Sequence, residues 1–176
     1  MTDAELVILS LIAEQARHGY EIEQSIEKRG MRERTEIGFS SIYYLLKKLE
    51  TKGLIEGQLE EAERGPARKV YHATPAGREA LHDAMLEALS VPQSRNSRLM
   101  LAVGNLPAVS PAEALAALQQ YRDSLTERLA HVEGRWEAQR PLPYFVDALF
   151  EYSVTMIQAE RGWIEQFIQK LEEQSG

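Results

Sequence analysis

The chain has 176 residues, a formal net charge of -7, no cysteine, and a composition that is 44% hydrophobic and 27% charged. This describes a folded protein of one ordinary or two small domains, without disulfides, thiolate metal sites or cysteine nucleophiles, as a cytoplasmic protein would be. No apolar run approaches the roughly 18 residues of a membrane span, and no basic-then-apolar opening predicts a signal peptide.

Taken in order, residues 2–15 read as a helix, because Thr2 and Glu5 have capping-box spacing and Leu6, Leu9, Ile12 and Ala13 follow at helical period. His18-Gly19 breaks it, with Tyr20 packing or capping the next element. Tyr20, Ile22 and Ile26 predict a second short helix ending near Gly30, and Thr35–Ile37 a very short strand. In the third helix, Ile42, Leu45, Leu46 and Leu49 form one buried stripe, and Gly53 supplies the stop. Residues 54–61 and 69–74 read as strands joined by the turn AERGPAR (62–68). Thr74-Pro75 starts a helix to about Leu89, with a hydroxyl cap followed by proline at the first helical position.

The polar segment SVPQSRNSR (90–98) marks a domain boundary, and a short apolar piece, Leu99 to Leu106, follows. Ser110-Pro111-Ala112-Glu113 is a second capping box and opens a long helix to about Ala138. The turn RPLP (140–143) leads into another, ending near Glu172. The expected fold is mainly α with a small β-hairpin. A winged helix-turn-helix domain covers 1–90, a linker with a short apolar helix 91–109, and an antiparallel helical dimerisation domain 110–176.

The order helix, helix, short strand, helix, hairpin, helix is that of a winged helix-turn-helix, whose third helix enters the DNA major groove. A groove-reading helix needs donors for base edges and phosphates and must not bring carboxylates. Ser40, Ser41, Tyr43, Tyr44, Lys47 and Lys48 satisfy this on the third helix, with Lys52 adding charge near its end. Arg64, Arg68 and Lys69 cluster at the hairpin tip. Any one of these features alone describes a solvated face; their combination selects double-stranded DNA.

The C-terminal helices carry the other half of the reading. Leu115, Leu118, Leu125, Leu129, Val132 and Trp136 form a seam interrupted by Arg122. The last helix carries two adjacent stripes, Phe150, Val154, Ile157, Ile164, Ile168 and Leu171 beside Leu149, Tyr152, Met156, Trp163 and Phe167. One antiparallel neighbour covers only one of them; the other needs the N-terminal helices, a partner subunit, or both, and a helix-mediated homodimer is the expectation. Arg122 and Arg161, which interrupt the seams, are candidates for binding an anionic effector, with salt bridges across that dimer the stronger expectation. Trp136 and Trp163, with Tyr144, Phe145 and Phe167, are candidates for an effector pocket, although rings at helical spacing are more often plain core. Glu79-x-x-His82 lacks the second copy that a carboxylate metal site needs, and no phosphate-cradling or nucleophile-elbow motif occurs. The expectation is a protein that is not an enzyme and holds no cofactor or metal.

HGYEI (18–22), SSIYYLLKKLETKGLI (40–55) and RGPARKVYHATPAGREAL (64–81) closely resemble, in the correct order, the PadR family of bacterial transcriptional regulators. The resemblance covers the first half, and the two-helix C-terminal half is similar to the family's longer branch. It implies a dimeric repressor on an inverted-repeat operator, often relieved by a small molecule such as a phenolic acid. It also implies that Tyr43 touches a phosphate, that Arg64, Arg68 and Lys69 form the wing's basic tip, and that Tyr71 is structural. The chain departs from the pattern in two ways. Tyr44 stands where the family varies, so base preference does not transfer. Asp and Glu outnumber Lys and Arg by 13 to 11 over residues 1–77, with Glu56, Glu60, Glu61 and Glu63 along the wing. The acidic flanks keep one rival reading open: a winged helix that no longer binds DNA and docks a partner protein.

Overall fold

The computed structural model describes residues 1–29, 31, 39–60, 68–92 and 98–175. Its contacts divide the chain into two compact units, Met1–Arg95 and Asn96–Gly176.

The first unit contains α1 (Asp3–Glu14), β1 (Arg17–His18), α2 (Gly19–Lys28), α3 (Phe39–Thr51), β2 (Ile55–Glu60), β3 (Arg68–Ala73) and α4 (Pro75–Ser90). The Thr2/Glu5 capping box is present: Glu5 N–H donates to Thr2 Oγ1 and Thr2 N–H to Glu5 Oε2. Ile8, Leu9, Leu11 and Ile12 of α1 pack with Ile22 and Ile26 of α2, the α3 stripe of Ile42, Leu45, Leu46 and Leu49, and Ile55 of β2. Burying such side chains is worth about 1.5–3 kcal/mol each and fixes which side of α3 faces out.

The strands form an antiparallel sheet in the order β1-β3-β2. Arg17 pairs with Tyr71 and His18 with Val70, while β2 and β3 are in register from Ile55↔Ala73 to Glu60↔Arg68. The third strand of the sheet is therefore Arg17–His18, ahead of α2, and the strand expected at Thr35–Ile37 lies outside the described residues. Tyr20 neither packs nor caps, because its ring is exposed; the cap position of α2 belongs to His18.

α3 ends in a Schellman motif. Leu54 N–H reaches Leu49 O, Gly53 N–H reaches Glu50 O, and Gly53 takes φ +69°, a region that L side chains rarely adopt. Thr74 then joins two helix ends with one hydroxyl, which donates to Gly53 O at 2.7 Å and accepts from Gly77 N–H at 3.0 Å.

The second unit holds α5 (Arg98–Gly104), a 3₁₀ turn (Leu106–Ala108), α6 (Pro111–Ala138) and α7 (Tyr144–Ser175). Ser110 and Glu113 form the capping box of α6. α6 and α7 are an antiparallel hairpin whose core is Leu118, Leu125 and Leu129 against Ile157, Ile164 and Ile168. These three isoleucines, expected at a dimer surface, are thus buried inside one chain, with Val154, Phe167 and Leu171 packed beside them. Phe150 stacks on Trp136, whereas Leu149, Tyr152, Met156 and Trp163 stay exposed. Arg122 and Arg161 pair within the chain, with Asp123 and Glu165. No helix among the described residues is long and apolar enough to cross a membrane.

Candidate nucleic-acid interface

Because the leucine stripe of α3 is buried, the residues between its members point outward. Tyr43 and Tyr44 are 60% and 65% exposed. Lys47 stands one turn beyond Tyr43, also exposed, with no ion-pair partner for its ammonium group among the described residues. Ser41 is half-buried and contributes less than its place in the sequence suggests; the side chain of Ser40 lies outside the described residues.

Tyr43 lies over the start of α2. A Cβ placed on Gly19 would come within 2.7 Å of its ring, so the missing side chain is what lets the ring approach. His18, Gly19, Tyr20, Tyr43, Arg68, Lys69 and Tyr71 line a shallow cleft of about 410 Å³. The HGY stretch and the tyrosine of α3 thus meet beside the wing, the β2–β3 hairpin.

Pleating separates the two described wing cations, since consecutive residues of a strand point to opposite faces. Arg68 shares a face with His18, diagonal to it across β1 and β3, and Arg68 Nη1 donates to His18 Nε2 at 3.3 Å. On the other side of the ring, His18 Nδ1 lies 2.6 Å from Glu21 Oε2. Lys69 turns to the other face. Its stem crosses Gly57, and its ammonium lies 2.8 Å from Glu50 Oε2 and 5.3 Å from the centre of the Tyr71 ring. The bond to Glu50 holds the Lys69 ammonium above its usual pKa. Arg64 lies outside the described residues.

Lys48 is likewise turned from the groove-facing row. It and Lys52 converge on Oε1 of Glu5, at 3.1 and 2.7 Å. Glu5 is only 1% exposed and is the charged member of an otherwise apolar core. Burial pushes its carboxyl pKa up, but bonds from Lys52, the Thr2 amide and Lys48 outweigh this and bring it down to about 2. The folded pKa is thus depressed. The stabilisation is complete above the ordinary value of 4.5 and disappears as pH falls towards about 2. That depression corresponds to roughly 3 kcal/mol, of which about 2 kcal/mol is lost by about pH 3. In Glu5→Gln, which can keep the cap on Thr2, urea titrations at about pH 6 and about pH 3 should differ less than in the wild type by that amount. An identical pH dependence in the two proteins would show that Glu5 carries no such term.

Glu5, Glu50 and His18, which hold or meet the cations of α3 and the wing, are residues that sequence reasoning assigned to other roles or passed over. Glu5 reads as a cap and is one. What links it to Lys48 and Lys52 is contact between α1 and α3, which spacing along either helix does not reveal.

The two tryptophans proposed for an effector pocket stand apart on the hairpin. Trp136 Nε1 donates to Asp147 Oδ1 at 2.7 Å, its ring stacks on Phe150, and Arg140 lies over it. Trp163 stacks on Phe167, about 24 Å further along α7 than Asp147 at 1.5 Å per residue. Among the described residues no group of His, Asp or Glu side chains is placed to hold a metal.

Residues 8–83 match the sequence model of the transcriptional regulator PadR-like family. A protein of Lysinibacillus sphaericus, "Uncharacterized protein X", is 35% identical over 81 residues, covering 46% of this chain and 73% of that one. The chain belongs to the PadR-like family of transcriptional regulators. Its fold is that of Bacillus subtilis PadR. The structure of that protein in complex with operator DNA superposes with a TM-score of 0.77, at 21% identity, over 95% of this chain and 98% of that one. The same protein in complex with p-coumaric acid gives 0.77 at 20% identity, over 96% and 98%. In this PadR-like chain the HGY stretch, the outward tyrosines of α3 and β3 of the wing all fall within the matched residues.

Proposed function

We propose that this PadR-like regulator is a homodimeric repressor that reads an inverted-repeat operator with α3 and is released by a small aromatic effector. The observation that carries the reading is the exposed row Tyr43, Tyr44 and Lys47, on which no carboxylate of the described residues intrudes, with Arg68 beside it. Tyr44 and Lys47, with Ser40 and Ser41 at the start of α3, enter or flank the groove. Tyr43 and Arg68 meet phosphates on either side of the cleft, and Arg64 adds to the wing. Phosphate contacts set register while groove contacts carry sequence information. That B. subtilis PadR forms a complex with operator DNA supports DNA as the partner.

The exposed stripe Leu149, Tyr152, Met156 and Trp163 on α7 is apolar surface of the kind that a second copy covers. Two chains about a dyad place their α3 helices roughly 34 Å apart, one turn of DNA. An effector that prefers a different separation of the two reading helices would empty the operator by population shift. The p-coumaric acid complex of B. subtilis PadR makes a phenolic acid the first class to test.

Fluorescence anisotropy with DNA from upstream of the protein's own coding region, alongside light scattering, tests the reading. The expected result is a dimer by mass whose affinity falls steeply with salt and falls again on addition of p-coumaric acid. A monomer at micromolar concentration would remove the symmetric operator. Binding indifferent to salt would favour the rival, a module that docks another protein.

A further inference from the structure

Glu50 sits in the last turn of α3 and touches both strands of the wing. Its Oε1 accepts from Gly57 N–H of β2 at 3.1 Å, and its Oε2 takes the Lys69 ammonium of β3 at 2.8 Å. The second contact depends on Gly57: a Cβ there would fall 2.0 Å from Lys69 Cε, in the path the lysine stem follows toward α3. Gly57 stands opposite Tyr71, two residues from Lys69 on the same face of the hairpin. Lys69 is therefore folded back along its own sheet and over the Tyr71 ring. Arg68, one residue earlier, meets no carboxylate among the described residues, and its Nη1 lies 3.3 Å from His18 Nε2.

We propose that Glu50 is a positioning residue that ties the wing to the reading helix and withholds Lys69 from DNA, so that the described part of the wing meets phosphate through Arg68. The inference rests on the DNA-binding reading above. A cation in contact with a carboxylate has already exchanged its counterion inside the protein. It releases none when DNA arrives and adds nothing to the salt dependence of binding. A cation without such a partner contributes about 0.9 to the slope of log K against log salt for each phosphate it neutralises.

Salt titrations of DNA binding by the full-length wild type, Arg68→Ala, Lys69→Ala and Glu50→Gln test this. Arg68→Ala should lower the slope by about 0.9 per chain and Lys69→Ala should leave it unchanged. Glu50→Gln should raise it by about 0.9 per chain, because Lys69 is released. A Glu50 that merely supported the fold would lower affinity in the variant without steepening the slope. Equal losses of slope in Lys69→Ala and Arg68→Ala, or an unchanged slope in Glu50→Gln, would overturn the proposal while leaving DNA binding intact. A wild type with no salt-dependent binding would remove the DNA reading, and this inference with it.

Discussion

Gly77→Ala is expected to lower the unfolding free energy by about 3 kcal/mol or more, the upper end of what overpacking costs. A Cβ at this position would lie 1.9 Å from the Leu54 carbonyl oxygen and 2.9 Å from its carbon. These are backbone atoms and cannot swing aside as a side chain would. The same carbonyl accepts from Thr74 N–H at 3.1 Å, so pushing it away also breaks the bond that starts α4. Leu54 is itself tied to Leu49 O by the Schellman motif, and the disturbance reaches the end of α3. Urea denaturation with an unchanged m-value measures the loss. Gly134→Ala is the control, since a Cβ there meets nothing within 4 Å and the residue lies inside α6. That change should stabilise by about 0.5–1 kcal/mol. A Gly77→Ala protein as stable as the wild type would mean that α4 and Leu54 are not in contact as described.

Lys47→Glu should weaken operator binding on the order of 10³-fold at about 0.1 M salt while leaving dimer mass and helix content unchanged. Lys48 and Lys52 already face the buried Glu5, and Lys69 faces Glu50. Lys47 is the remaining lysine of α3, one turn from Tyr43 and without an ion-pair partner among the described residues. Reversing its charge puts a carboxylate on the row that must approach phosphate, and two-fold symmetry doubles the penalty at the operator. At roughly 2 kcal/mol per half-site, the two add to about 4 kcal/mol, or three decades of affinity. An anisotropy titration that moves by less than about threefold would take α3 out of the groove. The exposed position of Lys47 keeps the test clean, because no core contact is lost with the side chain.

How much of this was readable beforehand depended on whether the controlling contact is local. The helix starts at Thr2, Thr74 and Ser110 were legible, since a cap is made within three residues. The leucine stripe of α3 was legible for the same reason, and it was enough to turn Tyr43, Tyr44 and Lys47 outward. β1 was not: two residues, Arg17 and His18, are too few for alternation to show, and only their pairing with β3 makes them a strand. The charge state of the interface was legible only in part. Lys47, Lys48 and Lys69 look equivalent as letters, yet two of them meet carboxylates brought in by other elements. Of the second stripe of α7, Phe167 packs inside the hairpin while Leu149, Tyr152, Met156 and Trp163 stay exposed, and the separation of Trp136 from Trp163 required the hairpin register, shown by Trp136 with Asp147 and Tyr121 with Glu160.

The Thr74 hydroxyl, held between Gly53 O and Gly77 N–H, leaves almost no slack where α3 hands over to α4. With the Leu54 carbonyl wedged against Gly77, a twist of α4 must either rupture that joint or carry the last turn of α3 with it. The first turn of α4 and the last turn of α3 are in this sense one joint, coupled through Thr74, Gly77 and Leu54.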